Sequence, residues 1–441
     1  MFVNTTWLPE RVGGAELHTL WVAQEMQRRG HEVSVVCGGP AASNSDSSGG
    51  EAEDYVEGVR SIRLMRASAS GVYRWGAHPS VIAWARDSFR RERPDAVVFG
   101  LFWGLCGIAG VARELGIPYV IVNHLYSVFC RQGFQLQPGR VVCDGLARSD
   151  KCRRCELGVW SRRHRTLASL FQLLPDSLAA RMASHAPAWR GVREADEVLG
   201  EGRRFAANAA RLIAPTEFVA AELRKNGFDT TRIVHLPYGL PPGLLAEQDS
   251  GENSGLPAAF FERIDEKSKH VAVISRLSPE KGLETLIDAF VGLPRSVPLR
   301  LDLFGSGPSD YEALLKSLSS RDDRIRFHGA IANHQVRGVL QAIDYLAVPS
   351  NWKEVSGINA REALACGTPV LATSMGGLPE AVRHGTNGLL VNPDDPAALR
   401  EALRRIAAGD APGKPLAADV RGIFTIAEHV DGLERVLFSV C

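Results

Sequence analysis

The chain has 441 residues, 45% of them hydrophobic and 23% charged, and a formal net charge of +1. That length exceeds one ordinary domain and suits two of about 200 residues, each apolar enough for a core. The near-zero charge excludes the basic surplus of a nucleic-acid-binding protein. The opening "MFVNTTWLPERVGG" lacks the basic-then-apolar order of a signal peptide, and no uncharged apolar run suffices for a transmembrane helix. The cytosol is therefore the expected location, where the eight cysteines do not read as a disulfide framework.

In chain order, "MFVNT" is an apolar strand, "PERVGG" a loop and "AELHTLWVAQEMQRRG" a helix closed by Gly30. "HEVSVVCGG" is the next strand, which completes the opening βαβ unit of a doubly wound sheet. Residues 40–54 are a polar low-complexity loop. "DAVVFGLF" and "PYVIVNH" are buried strands with the helix "LCGIAGVARELG" between them. Residues 128–160 break the pattern with four cysteines and read as an insertion; helical sequence follows to about 210. Inside it, "SRRHR" (161–165) precedes an apolar stretch. This is a solvated helix face or a weak peripheral contact with an anionic membrane. "ARLIAPT", "EFVAAELRKNG" and "TRIVHLPYG" restore strand, helix, strand.

The Pro-, Gly- and Ser-rich segment 240–257 is a linker. A second alternation begins at "HVAVISR", and Leu283, Leu286, Ile287 and Phe290 form a helical stripe at i, i+3, i+4 and i+7. Strands follow at "LRLDLFG", "RIRFHG", "DYLAVPS", "TPVLATS" and "NGLLVNP". The expected fold is α/β: two Rossmann-like doubly wound domains, residues 1–245 and 246–424, the first carrying the cysteine-rich insertion. A nucleotide-bearing ligand is expected between the carboxyl ends of their sheets.

The stretch "NWKEVSGINAREALACGTPV" (351–370) runs from a loop into a helix. The amides of Gly357 and Ile358 at its N-terminus form a ready phosphate site. Glu354 lies before the helix, and Glu362 lies a turn inside it, where a carboxylate accepts two hydrogen bonds from a ribose diol. Phosphate in the middle with hydroxyl-rich groups on both sides is the shape of a nucleotide sugar. A polar loop with a helix-favouring glutamate is the plainer alternative. In "ISRLSPEKG", Arg276 and Lys281 stand as two cations able to clamp a diphosphate. Gly13 and Gly14 allow close backbone approach at the first helix, but without the G-x-G-x-x-G of a dinucleotide site.

On "GGAE", "APTEFVAAELRKNGF", "ISRLSPEKGLETLIDAF", "RIRFHG", the E-x7-E pair with "EALACGTPVLAT" and "GGLPEAVRHGTNGLLV", the sequence resembles the GT-B glycosyltransferases of family 4. The resemblance runs over nearly the whole chain, weakest at about 40–95 and 160–205. It implies a helix at 425–441 that returns to the first domain. It also implies that Arg276 and Lys281 hold the donor diphosphate, that Gly14 meets the donor phosphate, and that Gly357 and Ile358 supply amides to it. Glu362 would bind the ribose and Glu354 the donor sugar. His124, which ends a first-domain strand, matches the family's His-Asp pattern and would bind donor or acceptor hydroxyls, although Leu125 replaces the Asp. Ser356 stands where Phe is common, and Asn359 and Arg361 are less usual.

The implied activity moves a sugar from a nucleoside-diphosphate sugar, UDP or GDP type, to a hydroxyl acceptor with retention of configuration. The acceptor would be a small molecule, a polysaccharide precursor or a lipid-linked sugar. No D-x-D occurs, which fits leaving-group stabilisation by cations and amides rather than by a metal. The alternatives are a nucleotide-sugar epimerase, a phosphorylase, or a non-catalytic nucleotide-sugar-binding scaffold.

Cys130, Cys143, Cys152 and Cys155 are spaced C-x12-C-x8-C-x2-C in sequence that lacks a core of its own. Four thiolates would close a structural zinc site. An iron–sulfur cluster, a disulfide or free thiols are the alternatives. Cys37, Cys106 and Cys366 read as small buried hydrophobes.

Overall fold

The computed structural model describes the chain except residues 9–12, 42–50, 67–75, 77, 101–103, 138–140, 164–189, 246–267 and 416–421. The chain divides into two units: Met1–Leu236 with Ala427–Cys441, and Pro237–Ile426.

The first unit holds β1 (Phe2–Asn4), β2 (Ser34–Ala41), β3 (Glu51–Val56), β4 (Val59–Arg66), β5 (Val97–Phe99), β6 (Tyr119–Val122), β7 (Leu136–Gln137), β8 (Val141–Val142), β9 (Arg211–Ala214) and β10 (Ile233–His235). Eight of them form one sheet in the order β10-β9-β6-β5-β1-β2-β4-β3, parallel except where β3 meets β4. Its central strands are continuous apolar runs because helices cover both faces of a parallel sheet. β5 and β6, "VVF" and "YVIV", are buried at every position.

β3 begins inside the stretch expected to be a loop, of which residues 42–50 lie outside the described residues. Five of its six residues are exposed, so no apolar alternation marks it. It pairs antiparallel with β4, and ion pairs Arg60–Glu53 (2.9 Å) and Arg63–Asp54 (2.8 Å) cross the ladder. The sequence at 128–160 folds as the β7–β8 hairpin followed by the helix Ser149–Arg163.

The helix Ile426–Phe438 lies almost wholly in this first unit. Val430 and Leu433 are buried, Arg29 reaches Asp431 at 2.6 Å and Glu434 at 2.8 Å, and His31 meets Glu434 at 2.8 Å.

The second unit is entered through β11 (Gly239–Leu240). Its sheet comprises β12 (Lys269–Ile274), β13 (Leu299–Phe304), β14 (Ile325–Gly329), β15 (Tyr345–Val348), β16 (Val370–Thr373) and β17 (Gly388–Val391), and the chain leaves through β18 (Phe424–Thr425). β11 and β18 pair with each other, so the division falls at Leu236/Pro237, earlier than the linker composition suggested. The six-stranded sheet is all parallel, in the order β14-β13-β12-β15-β16-β17. The predicted stripe Leu283, Leu286, Ile287 and Phe290 is fully buried against β12 and β13. Strand order reverses between β12 and β15, so the loops after these two strands lie side by side at their carboxyl ends, where doubly wound sheets bind ligands.

Candidate functional site

The loop after β12 ends in a tight turn, Pro279–Lys281, closed by Gly282 at φ +68°. A Cβ on Gly282 would lie 1.9 Å from the Pro349 carbonyl oxygen, so only glycine lets this loop rest on the loop after β15. The Asn351 amide donates to the Glu280 carbonyl at 3.1 Å across that contact.

Lys281 is thereby delivered to Glu354. Its Nζ lies 2.7 Å from Glu354 Oε1, and the same oxygen accepts from Ser350 Oγ at 2.6 Å and Trp352 Nε1 at 2.9 Å. The ammonium also sits 5.4 Å from the centre of the Trp352 ring. From the other side, the Gly377 amide donates to the Glu354 carbonyl at 2.7 Å. Glu354 is only 6% exposed, yet its charge is compensated and its position held from three directions. Arg276 is more open and pairs with Glu280 at 3.2 Å. The two cations expected to act together thus each carry a carboxylate partner, and Lys281 is the one built into the loop junction.

Gly357 caps the helix Ile358–Ala365 in the left-handed conformation, φ 60° and ψ 53°. A Cβ there would come within 2.5 Å of Leu378 Cδ2, so both backbone and space demand glycine. The Ala360 amide donates to the Gly357 carbonyl at 3.0 Å and the Arg361 amide to the same carbonyl at 3.2 Å, which leaves the Gly357 and Ile358 amides without a backbone acceptor among the described residues. Asn359 Nδ2 donates to the Ile274 carbonyl at 3.3 Å and pins the helix start to the end of β12. Glu362 is 8% exposed, and burial pushes its carboxyl up to about 7. No ion pair reaches it among the described residues. It is a carboxyl in a desolvated position that can accept or donate, according to pH.

In the first unit, Gly13 caps the helix Gly14–Arg28 through the bond from the Leu17 amide to its carbonyl at 3.0 Å. Glu16 in that first turn accepts from Thr6 Oγ1 at 2.8 Å. His124 follows β6, but it is 7% exposed and belongs to a buried group of three imidazoles. The His18 ring lies 5.9 Å from His124 and 4.6 Å from His429, edge to face in both cases. Burial holds His18 well below the usual histidine range and His124 down to about 3, with His429 repelling charge on both. His124 is therefore a neutral, packed imidazole rather than a rim histidine. His18 and His429 were invisible in the sequence because they approach it from two other segments.

The four cysteines of the insertion line one cavity of about 40 Å³, together with Phe129, Gln135 and Lys151. The Gly145 amide points at Cys143 Sγ at 3.4 Å. Burial pushes Cys130 up to about 11 and raises Cys152 and Cys155 as well, with neighbouring thiols adding to the effect. All eight cysteines are free, and among the described residues no three His, Cys, Asp or Glu side chains are grouped to hold a metal. A zinc or iron–sulfur site at these cysteines is not shown. The fold gathers the four cysteines around one cavity. Cys37 is fully buried, as expected, while Cys106 and Cys366 are partly buried and pushed up to about 12. Of "SRRHR", residues 164 and 165 lie outside the described residues. No described helix is long and apolar enough to cross a membrane.

Residues 13–239 match the glycosyl transferase 4-like domain, and residues 258–418 match glycosyl transferases group 1. Among curated proteins, the chain is similar to D-inositol 3-phosphate glycosyltransferase of Xylanimonas cellulosilytica, 33% identical over 240 residues, covering 51% of this chain and 54% of the relative. The Corynebacterium efficiens protein of the same name is 40% identical over 184 residues, 38% of this chain and 43% of its own. The chain thus spans about half the length of the curated relatives it matches. Among solved structures, Anabaena HepE in complex with UDP and glucose aligns with TM-score 0.65 at 18% identity over 99% of both chains. Sucrose-phosphate synthase from Thermosynechococcus elongatus aligns with TM-score 0.67 at 20% identity over 100% of this chain and 99% of its own. At such identities these structures show the fold, two Rossmann-like domains of GT-B type.

Proposed function

The chain belongs to the family 4 glycosyltransferases of GT-B fold, and from that premise we propose that it transfers a sugar from a nucleoside-diphosphate sugar to a hydroxyl acceptor. The observation that carries the reading is the junction of the two switch-point loops, where Lys281 and Glu354 meet at 2.7 Å beside the helix start at Gly357. A cation, free amides and two carboxyls in one stretch of wall match a donor made of phosphate, ribose and sugar.

In this reading the amides of Gly357 and Ile358 take the phosphate, Lys281 and Arg276 balance charge on the leaving diphosphate, and Glu362 binds the ribose. Glu354 contacts the donor sugar with Oε2, since Oε1 is occupied by Lys281, Ser350 and Trp352. Gly14 approaches the donor phosphate, and no substrate contact is assigned to His124, which is buried against His18. Leaving-group stabilisation rests on preorganised cations and amides, without a metal in the transfer step. The anomeric configuration is retained, and the reaction takes place in the cytosol. UDP is the first donor base to test, because the HepE structures contain UDP and UDP-glucose, and GDP the second. The acceptor is a small molecule, a polysaccharide precursor or a lipid-linked sugar.

The test is incubation of the purified chain with UDP-, GDP- and ADP-sugars, followed by product analysis. Transfer or slow hydrolysis supports the reading. Isomerised donor points to an epimerase, phosphorolysis to a phosphorylase, and binding without turnover to a scaffold.

A further inference from the structure

Arg361 stands in the first turn of the helix Ile358–Ala365. A cation is disfavoured there, because the helix dipole already makes that end positive. It is also buried, at 4% exposure, where an unpaired charge is disfavoured again. No carboxylate forms an ion pair with it among the described residues; Glu380 acts on it only at longer range. Its guanidinium spends its donors on two neutral carbonyls, Ser356 O at 3.3 Å from Nε and Gly422 O at 2.8 Å from Nη1. Burial lowers its proton affinity, but arginine keeps its charge.

The first of those bonds has a geometric consequence. A trans peptide points its C=O and its N–H in opposite directions. The guanidinium that holds the Ser356 carbonyl therefore turns the Gly357 amide the other way, out of the helix start. The second bond ties the same turn to Gly422, two residues before β18, in the strand pair by which the chain enters and leaves this unit. Two neutral carbonyls do not balance a buried cation at the positive end of a helix; an anion at that end would.

We propose that Arg361 is a positioning residue for the donor diphosphate, which orients the Gly357 amide and adds a fixed positive charge behind it. This rests on the donor reading given above. Arg361 touches neither the sugar nor the ribose in this account, so its contribution is confined to the phosphates.

The experiment compares UDP with uridine, the latter by competition, and GDP with guanosine in parallel, on wild type, Arg361→Met and Arg361→Lys. The Met variant keeps much of the stem volume without the charge, and the Lys variant keeps the charge but not the fork. The expected result is about tenfold weaker diphosphate binding in the Met variant, equivalent to ~1.4 kcal/mol, with nucleoside binding unchanged and partial recovery in the Lys variant. Raising the salt should narrow the gap between wild type and Met. Equal weakening of nucleotide and nucleoside, or no change in either, overturns the inference, since a merely structural role would not separate them. If the Met variant fails to fold, the Lys variant decides on the same comparison. A wild type that binds neither diphosphate overturns the donor reading together with this one, whereas a binding wild type with an indifferent Met variant overturns this one alone.

Discussion

The proposed donor wall of the second unit and the histidine group of the first are built in opposite ways. The donor wall draws its side chains from two short segments, residues 276–282 and 354–362, that follow neighbouring strands. The histidine group draws on residues 18, 124 and 429, from the first helix, a mid-chain strand end and the last helix. The donor wall is charged and held by ion pairs, such as Lys281–Glu354 at 2.7 Å. The histidine group is buried, and burial disfavours charge on His18 and His124. A site assembled from contiguous sequence at a topological switch point carries charge because local loops and helix amides compensate it. A site assembled from distant segments within a core keeps its titratable groups uncharged.

The largest effect should come from breaking the loop junction. Lys281→Ala removes one of the cations assigned to the leaving diphosphate and strips Glu354 of its charged partner. Turnover should fall by about 10²-fold or more, measured as initial rate at saturating donor. Near wild-type turnover would show that the pair is structural. Next, Gly357→Ala forces a Cβ into the left-handed region and against Leu378. The strain should cost about 1–3 kcal/mol of stability, read by denaturant unfolding, with a loss of nucleotide affinity as the cap shifts.

Glu362 sharpens the contrast through pH. Its folded carboxyl holds its proton to about 7, against 4.5 for an ordinary glutamate. Stability is therefore lost as pH rises from 4.5 to about 7, and Glu362→Gln should remove that loss, by roughly 3 kcal/mol above neutrality. The same variant should weaken nucleoside diphosphate binding and abolish its fall below about pH 7. His18 carries the opposite sign. Burial depresses its proton affinity from 6.5, so the unfolded chain binds the proton first and stability is lost as pH falls below 6.5. His18→Gln should flatten the acid limb by about one proton, ~1.4 kcal/mol per pH unit, in unfolding curves taken at successive pH values. The smallest expected effect is that of a chelator: turnover should stay unchanged after exhaustive treatment, since no step is assigned to a metal. A loss restored by zinc would reopen the cysteine cavity as a metal site.

The placement of the residues in the proposed donor wall is legible in the sequence because its geometry is local. Arg276, Lys281, Glu354 and Glu362 lie within a few residues of strand ends, and a strand followed by glycine and a helix largely fixes where such residues go. What sequence could not show was the pairing. The sequence sets Lys281 beside Arg276, and the structure pairs it with Glu354 because Gly282 lets the two loops touch. Arg361 lacked a role in the sequence because its partners are backbone carbonyls, and one of them lies 61 residues away. β3 was missed because an exposed edge strand held by Arg–acid pairs has no apolar alternation. The cysteine spacing correctly brought four thiols into one cavity, but spacing does not fix ligand geometry.

The central claim is that the wall formed by residues 276–282 and 354–362 holds a nucleotide-sugar donor. Its most direct test is calorimetric titration of wild type and Glu362→Gln with UDP-glucose and a GDP-sugar at pH 8, where Glu362 is ionised. Saturable binding of one donor by wild type, weakened about tenfold or more in the variant for loss of a charge-assisted hydrogen bond, is the predicted result. No binding by the wild type, or the same affinity in both proteins, would contradict it.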